Sequence, residues 1–151
     1  MIRLSGPQSR SIAQHLLPEG LTPRRLALAD IRLGGDVLDR GLLAWMPGPQ
    51  SFTGEDCLEL QVHGSPATVR AILREITRFP ETRLAEAGEF TRRAFENGKL
   101  DLTEVEGLGD LLLAETEGQR RQALARSAGG LSRQLDAWRE RLLDARAEIE
   151  A

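Results

Sequence analysis

A chain of 151 residues, 40% of them hydrophobic, is long enough to bury one modest core and carry a helical extension, which excludes an assembly of several large domains. Its 20 basic and 23 acidic residues leave a formal net charge of -3, so no general electrostatic pull toward nucleic acid exists, and 4% aromatic content without tyrosine offers few rings for bases to stack on. Cys57 is the single cysteine beside two histidines, which excludes an internal disulfide and any recognisable zinc spacing; no metal site is expected.

The start lacks the basic-then-apolar order of a signal peptide, and no run approaches the roughly 18 apolar residues of a membrane span, so a cytoplasmic protein with no membrane contact is expected. Residues 1–5 begin as a strand, ended by Gly6-Pro7. Ile12, Leu16 and Leu17 then predict a short helix over 8–17, stopped near Pro18 and Gly20. Residues 26–33 and 42–46 are strand-like around the turn composition Gly34-Gly35-Asp36, which predicts an antiparallel hairpin. Residues 57–63 alternate strictly, with Leu58, Leu60 and Val62 on the core face and Cys57, Glu59, Gln61 and His63 on the other. Ser65-Pro66 is a strong helix start, and Val69, Ile72, Leu73, Ile76 and Phe79 form the apolar stripe of a helix lying on a sheet. A shorter helix over 89–96 buries Phe90, Ala94 and Phe95 and ends at Asn97-Gly98, where glycine takes a left-handed cap.

From Leu100 the pattern turns wholly helical. Thr103 and Glu106 have capping-box spacing, and Gly129-Gly130 marks a break. Beyond it Leu131, Leu135, Trp138, Leu142, Ala145 and Ile149 form a heptad-like seam that calls for another helix. The fold class is therefore α+β, a mixed sheet with packed helices, followed by an α-helical segment.

Two features suggest chemistry. Glu59 sits mid-strand on the polar face, where a carboxylate can accept two side-by-side hydrogen bonds from a planar amidine-like edge such as that of a reduced pterin; the same alternation also fits a plain solvated face. Of the 20 basic residues 19 are arginine, and Lys99 alone is lysine, which fits either a need for a compact amine or chance survival. The loop over 47–56 is rich in turn formers yet holds Phe52 and the pair Glu55-Asp56; loops of this composition close over ligands or simply connect. No nucleophile arrangement is evident, and no catalytic residue is expected. The one Gly-Lys pair, Gly98-Lys99, is followed by Leu100 and preceded by Arg93 where a phosphate-binding loop needs its first glycine, so these residues encode no GTPase site.

Four motifs stand in one order: Arg3-Leu4-Ser5-Gly6-Pro7; Trp45-Met46-Pro47-Gly48-Pro49-Gln50-Ser51-Phe52-Thr53-Gly54-Glu55-Asp56; Leu58-Glu59-Leu60-Gln61-Val62-His63-Gly64; and Ala87-Gly88-Glu89-Phe90-Thr91-Arg92-Arg93-Ala94-Phe95-Glu96-Asn97-Gly98-Lys99-Leu100-Asp101-Leu102. In order and spacing they resemble the MnmE (TrmE) family of tRNA-modification GTPases. The resemblance implies that residues 1–98 form a folate-binding and dimerisation domain, similar in fold to the tetrahydrofolate domain of the glycine-cleavage T protein, with the family's first strand missing ahead of Met1. It implies that residues 99–151 open a central helical domain, with the family's GTPase domain absent together with its GTP, Mg2+ and K+. Carried over position by position, the family's folate contacts fall on Arg3, Glu59 and Lys99. The implied cofactor is 5-formyltetrahydrofolate or 5,10-methylenetetrahydrofolate. The implied partners are a second copy in a homodimer, the flavoprotein MnmG (GidA), and tRNA, whose wobble uridine is modified at carbon 5. The alternative is a structural dimerisation module that no longer binds folate.

Overall fold

The structure is a computed structural model that describes residues 1–17, 20–33 and 35–150. The chain divides into two units, residues 1–99 and residues 100–151. In the first, β1 (Ile2–Ser5) is followed by α1 (Gln8–Leu16), β2 (Leu26–Leu33), β3 (Asp36–Met46), β4 (Cys57–Gln61), α2 (Pro66–Ile76) and α3 (Glu89–Glu96). Four strands form one sheet in the order β1-β4-β3-β2, and all three pairings are antiparallel, which narrows the expected mixed sheet to an antiparallel one.

One face of this sheet makes the core. Ile31, Leu43, Leu58 and Leu60 are fully buried beneath Ile12 of α1 and Ile72 of α2. Leu58 and Leu60 point inward because the strand period is two, as their alternation requires. Ser65 caps α2 by accepting from the Thr68 N–H, with Pro66 in the first helical position, where its missing N–H costs nothing. The expected helix stop at Pro18 and the first turn glycine, Gly34, lie outside the described residues.

β3 begins at Asp36, six residues ahead of the segment expected as strand. Asp39, Arg40 and Gly41 break the apolar pattern there, yet they continue the ladder opposite β2 past a bulge between Ile31 and Arg32. Gly41 is needed for packing, since a Cβ at that position would run into the Gln61 carbonyl oxygen. β4 stops at Gln61, two residues short of the expected end.

The second unit contains α4 (Leu102–Leu113), α5 (Glu117–Ser127) and α6 (Gly130–Glu150). The capping box at the start of α4 is not Thr103 with Glu106 but Asp101 with Glu104. Asp101 Oδ1 accepts from the Glu104 N–H at 2.9 Å, and Glu104 Oε2 accepts from the Asp101 N–H at 2.9 Å. Both pairs have the same spacing; Asp101 prevails because its extended backbone and short carboxylate suit the N-cap. Thr103 instead donates to Asp101 Oδ1 at 2.7 Å and lies 2.6 Å from the Ser132 hydroxyl. A break absent from the sequence reading falls between α4 and α5, where Thr116 caps α5 in a second box with Gln119. At Gly107 a Cβ would lie 2.5 Å from the Ser127 nitrogen, so glycine permits the close approach of α4 and α5 over buried Ala123. The expected break at Gly129-Gly130 is present, with Gly129 left-handed and Gly130 opening α6.

Candidate functional site

The antiparallel register of β1 and β4 sets Arg3 directly opposite Glu59, on the face turned away from the core. Side chains on directly opposed residues of such a pair stand within reach of each other. The Arg3 guanidinium donates to Glu59 Oε1 from Nε at 2.8 Å, with Nη2 on the same oxygen at 2.6 Å. Both contacts fall on Oε1, which leaves Oε2 without a hydrogen-bond partner among the described residues. The Glu59 side chain is 15% exposed and that of Arg3 29%, so the pair lies in a recess open to solvent on one side. Two rings flank the guanidinium: its Cζ lies 5.4 Å from the Phe52 centroid and 5.8 Å from that of Phe90, within the range of cation–π attraction.

Phe52 comes from the loop over 47–56, which is held at several points. The Gly48 N–H donates to Asp56 Oδ1 at 2.9 Å, Ser51 Oγ donates to the Glu55 carbonyl at 2.5 Å, and Asn97 Nδ2 donates to the Thr53 carbonyl at 2.7 Å. Thr53 is fully buried, its hydroxyl 2.6 Å from that of Ser5 and 3.3 Å from Cys57 Sγ. The outward face of β4 is thus neither open nor uniformly polar: Cys57 is buried under the loop and Glu59 is covered by Arg3.

Phe90 comes from α3, whose first residue, Glu89, is an ionic hub. Arg83 grips its carboxylate with both terminal nitrogens, at 2.8 and 2.6 Å, and the Glu86 N–H donates to it at 2.8 Å. Arg93, one turn on, donates to it from Nη2 at 2.9 Å and reaches Glu55 of the loop from Nη1 at 3.0 Å. The hydrogen bonds from Arg83, then from the Glu86 amide and from Arg93, hold the Glu89 carboxyl far below the usual carboxylate range. Ser5 completes the chain by donating to Glu55 Oε2 at 2.6 Å. The first strand, the loop and α3 are therefore tied together around Arg3.

Lys99 is placed by local rules. Asn97 caps α3, Gly98 takes φ +65°, and the Lys99 N–H donates to the Ala94 carbonyl at 2.8 Å while the Gly98 N–H donates to that of Phe95 at 2.9 Å. This paired C-terminal motif requires the glycine that the sequence supplies. The lysine side chain is exposed and its stem lies against Gly54; a Cβ on Gly54 would come within 3.2 Å of Lys99 Cγ. Arg3 and Glu59 are thus in contact, and Lys99 joins the same loop two residues from Phe52.

Gln61 and His63 do not join this group. Gln61 is exposed, and His63 lies beyond the strand, its amide and Nδ1 each 2.8 Å from the Asp39 carboxylate. Burial opposes ionisation of Asp39, but the hydrogen bonds from His63 and from the Arg40 amide together outweigh it and hold that carboxyl below its ordinary value. Arg74 on α2 and Arg78, just beyond its end, both pair with Glu75. Sequence reasoning noted Glu55 as one of the loop's two adjacent acids but did not single out Glu89 and Arg93 as a site pair; their spacing, four apart on one helix, was the available signal. A cavity of about 170 Å³ lies against β1, and its lining includes Arg3, Phe90, Arg93, Ile12, Leu73 and Leu84.

A family model described as "GTP-binding protein TrmE N-terminus" matches residues 1–99, and one described as "MnmE helical domain" matches residues 102–151. The tRNA modification GTPase MnmE of Azorhizobium caulinodans is 54% identical over 154 residues, covering 100% of this chain and 35% of that protein. The proteins of the same name from Brucella canis and Brucella abortus are each 50% identical over 152 residues, covering 100% of the chain and 34% of their own length. The chain therefore spans about a third of the length of these curated relatives.

Proposed function

The chain belongs to the MnmE (TrmE) family of tRNA modification GTPases, and from that membership we propose that residues 1–98 are a tetrahydrofolate-binding and dimerisation domain. Residues 99–151 then open the helical domain. In this reading a folate carrying a one-carbon unit, as 5-formyltetrahydrofolate or 5,10-methylenetetrahydrofolate, supplies carbon for modification at carbon 5 of the wobble uridine of tRNA. The reaction runs in the cytoplasm with the flavoprotein MnmG (GidA). GTP hydrolysis, with Mg2+ and K+, belongs to residues outside this sequence, since these 151 residues hold no phosphate-binding loop.

The observation that carries the reading is Glu59. Its carboxylate lies in a recess with an oxygen that has no hydrogen-bond partner among the described residues, and it already accepts two N–H groups from a planar cation. The 2-amino-pyrimidinone edge of a pterin presents donors in a similar fork. Arg3, on Glu59, provides a guanidinium, and Lys99, whose stem lies against Gly54 of the loop that carries Phe52, provides a compact amine; both suit polar or anionic groups of such a cofactor. When bound, the folate supplies the one-carbon unit; the role of Glu59, Arg3 and Lys99 is to bind and orient it.

Calorimetric titration of the protein with 5-formyltetrahydrofolate tests this. Saturable binding that Glu59→Ala and Lys99→Ala both weaken is the expected result, and wild-type affinity in Glu59→Ala removes Glu59 from the site. The structural-module alternative draws on the exposed seam of α6, where Leu142 is 71% and Ile149 85% exposed. A folded dimer that binds no folate would select it.

A further inference from the structure

In a planar site of this kind, whatever lies on Glu59 between two aromatic rings marks where a flat ligand can lie. Here that occupant is part of the protein itself. The Arg3 guanidinium is flat, carries N–H donors in a fork, and is held on Glu59 Oε1 at 2.8 and 2.6 Å with Phe52 and Phe90 at 5.4 and 5.8 Å. An amidine-bearing heterocycle has the same shape, the same donor edge and a π-face suited to the same rings.

The two rings are held independently of Arg3. Phe90 follows Glu89, which is locked by Arg83 and Arg93, and Phe52 sits in a loop fastened through Thr53, Glu55 and Asp56. Arg3 itself has a long side chain, is 29% exposed and stands on a strand that pairs with a described neighbour on one edge alone, β4. Walls that stay in place and an occupant able to leave are what a displaceable plug requires.

We propose that Phe52 and Phe90 are the walls of a heterocycle slot on Glu59, and that Arg3 fills this slot in the free protein and is displaced by the ligand. The inference rests on the folate reading and adds to it two binding residues and an order of events. The pterin edge replaces the guanidinium on Glu59, and the released Arg3 then serves the anionic part of the ligand. Arg3 thus acts twice with opposite sign: as a competitor for the ring and as a contact for the tail.

The test uses two probes on the whole chain, 5-formyltetrahydrofolate and pterin, the bare 2-amino-4-oxo ring without the aminobenzoyl-glutamate tail. Phe52→Leu and Phe90→Leu are each expected to weaken 5-formyltetrahydrofolate by roughly 5- to 100-fold, the scale of one ring–aromatic stack, and Phe90→Tyr to retain binding. Arg3→Ala is expected to tighten pterin while failing to tighten 5-formyltetrahydrofolate. Circular dichroism confirms that each variant is folded, and Phe90→Tyr keeps the wall even where leucine does not. Binding lost in Glu59→Gln but unchanged in both leucine variants, with pterin weakened by Arg3→Ala, overturns the slot and leaves the folate site standing. No binding of either probe by the wild-type chain overturns both.

Discussion

The two units meet the problem of burial in different ways. Residues 1–99 close on themselves: Ile12, Ile31, Leu43, Leu58, Leu60 and Ile72 are fully buried between one sheet face and two helices. In residues 100–150 the sole buried apolar side chain among the described residues is Ala123, while Leu112, Leu113, Leu142 and Ile149 are 71–85% exposed. The helices of the second unit are nevertheless well started, each of α4 and α5 by a capping box. A sheet with helices on it gathers distant residues into one interior, whereas caps stabilise a helix from within and remove no large side chain from water. Local order and a core are therefore separate achievements, and the contrast between the units can be measured because each holds one tryptophan: Trp45, 8% exposed, and Trp138, 53% exposed.

The sharpest test of that contrast is Leu60→Ala. Removing a fully buried leucine is expected to cost about 2 to 5 kcal/mol, seen as an earlier denaturant midpoint for Trp45 fluorescence in a Trp138→Phe background. A shift below about 1 kcal/mol would show that the core is looser than its burial indicates.

The next effect concerns the ionic hub at Glu89. Its carboxyl lies far lower in the folded chain than the ordinary value of about 4.3 expected when unfolded. A depressed folded value gives stability that is fully present above the ordinary range and is lost as pH falls below it. Stability of the first unit is expected to decline from about pH 5 downward, and Glu89→Gln to lower stability at neutral pH while flattening the acid decline. An unchanged acid slope in that variant would place the pH dependence elsewhere.

Thr116→Ala removes the cap of α5 and is expected to cost about 1 kcal/mol, read from Trp138 and leaving the Trp45 transition where it was. Smallest of all, Leu142→Ala is expected to change stability by less than about 0.5 kcal/mol, because its side chain is already in water. A loss as large as that of Leu60→Ala would mean that the α6 seam is covered in solution, and sedimentation would then identify a second copy of the chain.

Much of this architecture was legible in the residues. The alternation over Leu58 and Leu60 predicted an inward face because strand side chains alternate regardless of what they pack on. Ser65-Pro66 and Asn97-Gly98 predicted a helix start and a helix stop because caps and left-handed glycines act over a few residues. The family, too, was readable from four motifs in order, and the matches to residues 1–99 and 102–151 agree with it.

What the chain alone left open depends on register and on choice between equal signals. Nothing within either strand says that Arg3 lies opposite Glu59, since the two are 56 residues apart and meet through a ladder whose offset the whole sheet decides. The true extent of β3 was hidden because Asp39, Arg40 and Gly41 look like a turn until β2 pairs with them. Asp101 with Glu104 and Thr103 with Glu106 offer the same spacing, and the backbone entering α4 chose between them. Sequence by itself thus determined the elements, their caps and the types of side chain available for a site, because these follow from periods and contacts a few residues long. Only the tertiary structure decided that a guanidinium, a carboxylate and two phenyl rings share one recess, because that grouping needs a sheet register, a folded loop and a helix N-terminus fixed at once.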